Sequence, residues 1–360
     1  MNIAGIGIVS ARGRGVAALE HALEQGWVPP VEVEARGVAC GKVSVYPVTA
    51  DTLGDKVVLA KARRADRFIR MSVLAAADAV QDSGIGASLD KTRMGIILAT
   101  ALGPHVTTFS FLDGILDFGD AAVSPTAFSH SVHNAAASYI AMTLEVRGPT
   151  LTVTHFDFAF HQAVLLAQTW LNDGRCDSVL VGAVDELGAV MQSVCGQMLK
   201  PAADGRIKPF AFSTTPESVP GEGAAFFLMT RDTAGVGYGL LEVIEDLPVP
   251  SSGGSLQILD ACGMARDESA YLAAVMPGIS VAAYAPLFGS LLIGSALNAA
   301  AAALMMKKQK IYVSPVQENP HGLMICQETK PAPLRDVYCT RLDCVGRRLT
   351  LHLGSASLLE

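Results

Sequence analysis

Residues 124–153 read SPTAFSHSVHNAAASYIAMTLEVRGPTLTV. An alanine-rich run with apolar residues at helical spacing gives way, across Gly148 and Pro149, to a short β-branched run. The pattern predicts a helix over Ala135–Leu144 and a strand over 151–154. Working towards the amino end, RADRFIRMSVLAAADAVQDSGI (64–85) predicts a second helix over Arg67–Asp82, and MGIILAT (94–100) a strand over 94–99. IAGIGIVSARGRG (3–15) opens the chain with a glycine-punctuated strand over 3–9. On the carboxyl side come a helix over 161–173 and strands over 178–181 and 224–229. A weaker series follows, with strands over Leu240–Ile244, 256–259 and 349–353. Strands alternating with long helices mean an α/β fold in layers. The recurrence predicts two similar halves, 1–235 and 236–360.

With 360 residues, half of them apolar and 17% charged, the chain has ample material for a large core, and no linker-like stretch breaks it into separate units. A formal net charge of −7 and the lack of any dense Lys/Arg run exclude broad attraction to nucleic acid or anionic lipid. Seven cysteines at irregular spacing, without a CxxC pair, argue against a disulfide framework and against a structural metal. Reduced thiols in a cytoplasmic protein are the expectation. No basic run precedes the first apolar stretch, so no signal peptide is expected. The segment GSLLIGSALNAAAAALMM (289–306) is long enough to suggest a membrane span. It is Ala-rich, contains Asn298 and ends in Lys307, Lys308 and Lys310, which favours a helix buried at the centre of a layered fold.

The landmarks quoted above, taken in order, resemble the β-ketoacyl-acyl carrier protein synthases. The opening strand and turn, the Asp-Arg-Phe helix and the Pro, Phe and Asn landmarks of 124–153 all fit. So do RCDSVLVGAVDEL (175–187) and KPFAFSTTPESVPGEGAAFFLM (208–229). The resemblance covers nearly the whole chain. It implies a thiolase-like fold, two duplicated halves in a five-layer α-β-α-β-α arrangement, dimerised through a strand edge. The substrates it implies ride on the phosphopantetheine arm of an acyl carrier protein, with no other cofactor and no metal.

The resemblance also marks where this chain departs. Counting from Gly148 and Pro149, the position of the family's acyl-accepting cysteine holds Asp157, a poor nucleophile towards a thioester, expected instead to satisfy N–H groups at the start of the next helix. DACGMARDE (260–268) puts Cys262 where the first histidine belongs. APLFGSLLIG (285–294) puts Ser290 at the second histidine and Ala285 at the lysine. Leu342-Asp343-Cys344-Val345 replaces the glycine-rich gating loop. With nucleophile and both imidazoles gone, the resemblance implies a non-catalytic partner, like the chain-length factors of type II polyketide and aryl polyene pathways. Such a subunit would pair with an active ketosynthase and its acyl carrier protein, or with itself when isolated, around a cavity still lined by apolar side chains.

Two other readings stand beside this one. An acyl-thioester enzyme of altered chemistry would use Asp157 with His155, His161 or Cys262; a homodimeric acyl-binding scaffold would need no partner. Against the first, His155, Asp157 and His161 match no metal template and read as a hydrogen-bonded structural cluster, and Cys262 as an inert small hydrophobe. His130 and His133 read as loop residues at the dimer edge before a helix that Asn134 caps. Phe156, Phe158 and Phe160 read as a plug in the old pocket.

Overall fold

The first strand carries two glycines because a helix lies directly on it. A Cβ at Gly5 or Gly7 would collide with the carbonyl oxygens of Ala79 and Ala75, one helical turn apart. That approach sets α2 (Arg67–Asp82) against β1 (Asn2–Ser10). Asp66 starts the helix by accepting the Ile69 N–H at 2.9 Å.

The computed structural model describes all residues except 36–40, 120, 122, 199, 212–216, 232–236, 249–252, 264–266 and 356–360. The first-half strands after β1 are β2 (Met94–Thr100), β3 (Thr150–Thr154), β4 (Ser178–Asp185) and β5 (Gly223–Thr230). The second-half strands are β6 (Leu240–Ile244), β7 (Ser255–Leu259), β8 (Ser280–Ala282), β9 (Asp336–Leu342) and β10 (Arg348–Gly354). Together they form one path, β8–β7–β9–β10–β6–β1–β5–β4–β2–β3, and the short strand Gly13–Arg14 pairs with β1 outside it. Within each half the order is third, second, fourth, fifth, first. The fifth strand runs antiparallel to its two neighbours, while the second is parallel to both of its own. One architecture therefore occurs twice, joined where Asn2 meets Leu240. The division expected at 235/236 falls on residues outside those described.

Side chains alternate across the strands as a pleated sheet requires. Ile97, Val181 and Phe227 face a central layer, while Ile96, Leu180 and Phe226 face an outer one. The outer layer of the first half holds α2 and α5 (Ala135–Leu144). The central layer holds α6 (Ala159–Asn172) and α9 (Gly294–Lys308), each touching strands of both halves. An outer layer on the second half includes α7 (Glu268–Ala273), giving five layers. The segment that suggested a membrane span forms α9, buried without interruption from Gly294 to Met306. Among the described residues no helix is long and apolar enough to cross a membrane.

Every strand expected in the sequence forms, and the helix expected at 161–173 starts two residues earlier. The other helices include α1 (Gly15–Gln25), α3 (His105–Phe118), α4 (Pro125–Ser131), the short α8 (Ala285–Phe288) and an unlabelled helix over Ala189–Met198. His130 is therefore helical rather than in a loop, because Ser124 and Pro125 start a turn there and the Ser124 Oγ accepts the Ala127 N–H.

Candidate functional site

The strand β3 ends at Thr154, and the chain turns through 155–158 into α6. Free N–H groups at a helix start need acceptors. Here the His155 ring supplies one: its Nδ1 accepts from the backbone of Asp157 at 3.2 Å and of Phe158 at 3.1 Å. The sequence assigned that task to the Asp157 carboxylate, and the structure corrects it. With the turn satisfied, the carboxylate swings towards Arg341 of β9, whose Nη2 lies 3.4 Å away. Arg341 Nη1 pairs with Asp260 at 2.6 Å, and the same Asp260 oxygen accepts from Ser295 at 2.8 Å. Burial works against the guanidinium charge, yet Asp260 above all holds the Arg341 pKa above its ordinary value. A buried ion triad therefore joins the start of α6, the end of β7 and the strand β9.

These groups floor a cleft of about 550 Å³. His155, Phe156 and Asp157 form one wall, Cys262 and Tyr271 another, and the turn from Leu342 to Arg347 the rim. The turn is held by Asp343, which accepts from the backbone of Val345 and Arg347 and pairs with the Arg347 side chain at 2.6 Å. An apolar lining was expected, and Phe156, Cys262, Tyr271, Leu292 and Leu342 line the cleft; Asp157, Asp260, Asp267, Asp343, Arg341 and Arg347 add charged groups to it.

The positions singled out in sequence converge only in part. Asp157 and Cys262 share the cleft. Ser290 works as a clasp: its hydroxyl donates to the Cys262 carbonyl and accepts the Val219 N–H, and its own N–H donates to Val219. Ala285 opens α8 in the same apolar cluster as Cys262 and brings no functional group. Of the expected hydrogen-bonded cluster, His155 and Asp157 are joined through the Asp157 N–H, and His161 stands outside it. His161 is fully buried beside Phe158, ring centroids 5.5 Å apart, and neither of its nitrogens finds a hydrogen-bond partner among the described residues. Burial, helped by Arg341 and His155, pushes its pKa down to about 3, so the ring is neutral.

The three phenylalanines do not plug one pocket. Phe156 is 64% exposed at the cleft, Phe158 stacks between the rings of His155 and His161, and Phe160 packs on Phe227 in the central layer. They part because the chain changes from strand to helix between them. Away from the cleft, His130 bonds Tyr139 at 2.9 Å, His133 lies exposed with its ring over Gly103, and Asn134 stands at the α5 cap position without a side-chain cap. The Asn134 carbonyl instead receives Ser138.

The motif reading missed Arg341, Asp260 and a second buried cluster. The one signal for Arg341 is a cation inside the otherwise apolar run DVYCTRL. The second cluster sits where β4 ends and β5 begins. Asp185 accepts from Thr100 at 2.8 Å, and burial pushes its pKa up to about 6. Glu186 accepts the Val106 N–H at 2.9 Å, and burial, with Asp66 and Glu222 adding, pushes it up to about 8. Glu222 takes the N–H groups of Val48 and Leu187 and pairs with Arg67.

A family model described as "Beta-ketoacyl synthase, N-terminal domain" matches residues 3–234. The provisionally named polyketide beta-ketoacyl synthase 1 of Streptomyces halstedii is 26% identical over 246 residues, covering 63% of this chain. The chain spans 57% of the length of that relative. Among solved structures, a type II polyketide ketosynthase in complex with its acyl carrier protein superposes with a TM-score of 0.80 at 16% identity over 98% of both chains. A ketosynthase in complex with its chain length factor, from Xenorhabdus doucetiae, gives 0.76 at 14% identity, covering 98% of this chain and 97% of that one. Likeness at such identities is likeness of fold.

Proposed function

Because the chain belongs to the β-ketoacyl synthase family and has its thiolase-like fold, we propose that it serves as a chain-length-factor-like subunit. It pairs with a catalytic ketosynthase and shapes the tunnel for an acyl chain carried on acyl carrier protein. One observation carries the reading. At the head of α6, where the family resemblance puts the acyl-accepting thiol, stands a carboxylate engaged by a buried guanidinium. A lasting acyl thioester needs a thiolate, and a carboxylate in an ion pair is no substitute.

The surface supports pairing. Helix α3 buries only His105 and exposes Leu112, Leu116 and Phe118, the last two by 82% and 74%. Phe128 and Leu151 are exposed as well, and Leu151 lies on β3, the edge strand of the sheet. An apolar face beside an open sheet edge is the mark of a surface that a second chain covers.

The test is co-expression of a tagged copy with a ketosynthase that retains its cysteine and both histidines, followed by a malonyl-dependent elongation assay. We expect a stable pair that elongates only when both chains are present. Leu116→Asp with Phe118→Asp should break the pair and abolish elongation. A lone homodimer that turns over an acyl thioester, and loses that activity with Asp157→Asn, would overturn the proposal in favour of altered thioester chemistry. An inactive homodimer that ignores the ketosynthase would overturn it in favour of a scaffold.

A further inference from the structure

Arg341 is a buried cation whose two carboxylate partners differ in their access to water. Its side chain is 3% exposed and that of Asp260 1%, whereas Asp157 is 19% exposed and borders the open cleft. Asp260 is fixed from two sides, by Arg341 and Ser295. Among the described residues the Asp157 carboxylate is fixed only through Nη2 of Arg341, since the turn carrying it is satisfied by His155. The guanidinium therefore has one inner counter-ion built into the core and one outer counter-ion at the solvent boundary. Its Nε has no hydrogen-bond partner among the described residues. Without Asp157 the cation would keep Asp260 as its counter-ion, and Nη2 would be left as a charged donor at the cleft, a group that favours a carboxylate partner.

We propose that this outer seat is a small-carboxylate site that the chain fills with its own Asp157. Cut that side chain back, and a free monocarboxylate such as formate or acetate takes its place on Arg341, reached through the cleft. The Asp157 backbone N–H goes to His155, so removing the carboxylate leaves the turn intact and empties the seat alone. The filled seat also has a consequence for ligands. A thioester bearing a free carboxylate meets a negative side chain at the cleft floor, while an uncharged acyl group does not. The inference stands on the Arg341–Asp157 contact and holds whether or not the chain pairs with a ketosynthase.

The experiment is thermal unfolding of full-length Asp157→Ala in sodium formate and in sodium chloride of equal ionic strength, with the native protein alongside. In chloride the variant should melt several degrees below the native protein. Formate should restore the loss with a saturable dependence, weak because so few atoms bind: half-saturation no tighter than about 1 mM. The native protein should respond equally to both salts. Adding Arg341→Met to Asp157→Ala should abolish the formate effect. Identical melting of variant and native protein, or equal responses of the variant to both salts, would overturn the proposal. Should Asp157→Ala not fold in chloride, refolding yield becomes the readout: recovery in formate alone supports the site, and equal failure in both salts refutes it.

Discussion

Glu186 offers the sharpest test of the electrostatics described above. It is 3% exposed, and its pKa is raised from 4.5 to about 8, chiefly by burial. The folded protein therefore keeps a proton there that the unfolded chain has released, and stability must fall as pH rises between those two values. Two other strongly shifted groups act only in the lower part of this range, below pH 6.5. Asp185, raised from 3.8 to about 6, works in the same direction but has finished by then. His161, lowered from 6.5 to about 3, works in the opposite sense: stability is lost as pH falls below 6.5. Between pH 6.5 and 8 Glu186 alone of the three titrates. One unit is worth about 1.4 kcal/mol, so across that window the native protein should lose about 2 kcal/mol relative to Glu186→Gln. Urea unfolding followed by circular dichroism at both ends reads this directly. Glu186→Gln keeps an acceptor for the Val106 N–H and has nothing to titrate at that position, so the fall due to Glu186 should vanish; the amino terminus, lowered from 8.0 by burial, acts in the opposite sense there in both proteins. An unchanged slope in Glu186→Gln would refute the reasoning.

Two further outcomes follow from packing. His161→Leu replaces a ring whose nitrogens lack partners with an apolar side chain of similar bulk; at pH 5 it should unfold about 1–2 kcal/mol later than the native protein, by the same urea measurement, and lose the acid-side fall in stability. Gly7→Ala drives a methyl into the Ala75 carbonyl and should cost about 1–3 kcal/mol, visible as a lower unfolding midpoint and a smaller folded yield.

What the sequence could reveal was whatever repeats over a few residues. The alternation in MGIILAT, the spacing in RFIRMSVLAAADAVQD and the break at Gly148–Pro149 are local signals, and they placed elements to within a few residues. Helix α3 escaped because HVTTFSFLDGILDF is rich in β-branched and aromatic residues and contains Gly114, a local preference that its place in the fold overrides. The charge network escaped for another reason. Arg341 lies 184 positions from Asp157 and 81 from Asp260, and only the strand order brings them together. The motif reading could identify Asp157 as a non-nucleophile, but not the partner that holds it. Likewise a histidine two residues before Asp157 gives no hint that its ring, rather than the carboxylate, caps the helix.

The helix α9 has no side facing solvent from Gly294 to Met306: every residue there is buried, nearly half of them alanines, between strands of both halves. Its amides can meet water only when the two halves come apart, so their hydrogen exchange should report the opening of the whole fold. A protein built round such a spine cannot breathe along its middle. Movement that admits a ligand has to come from the periphery, and the turn from Asp343 to Arg347, at the cleft rim and pinned by a single aspartate, is where it has the least to break.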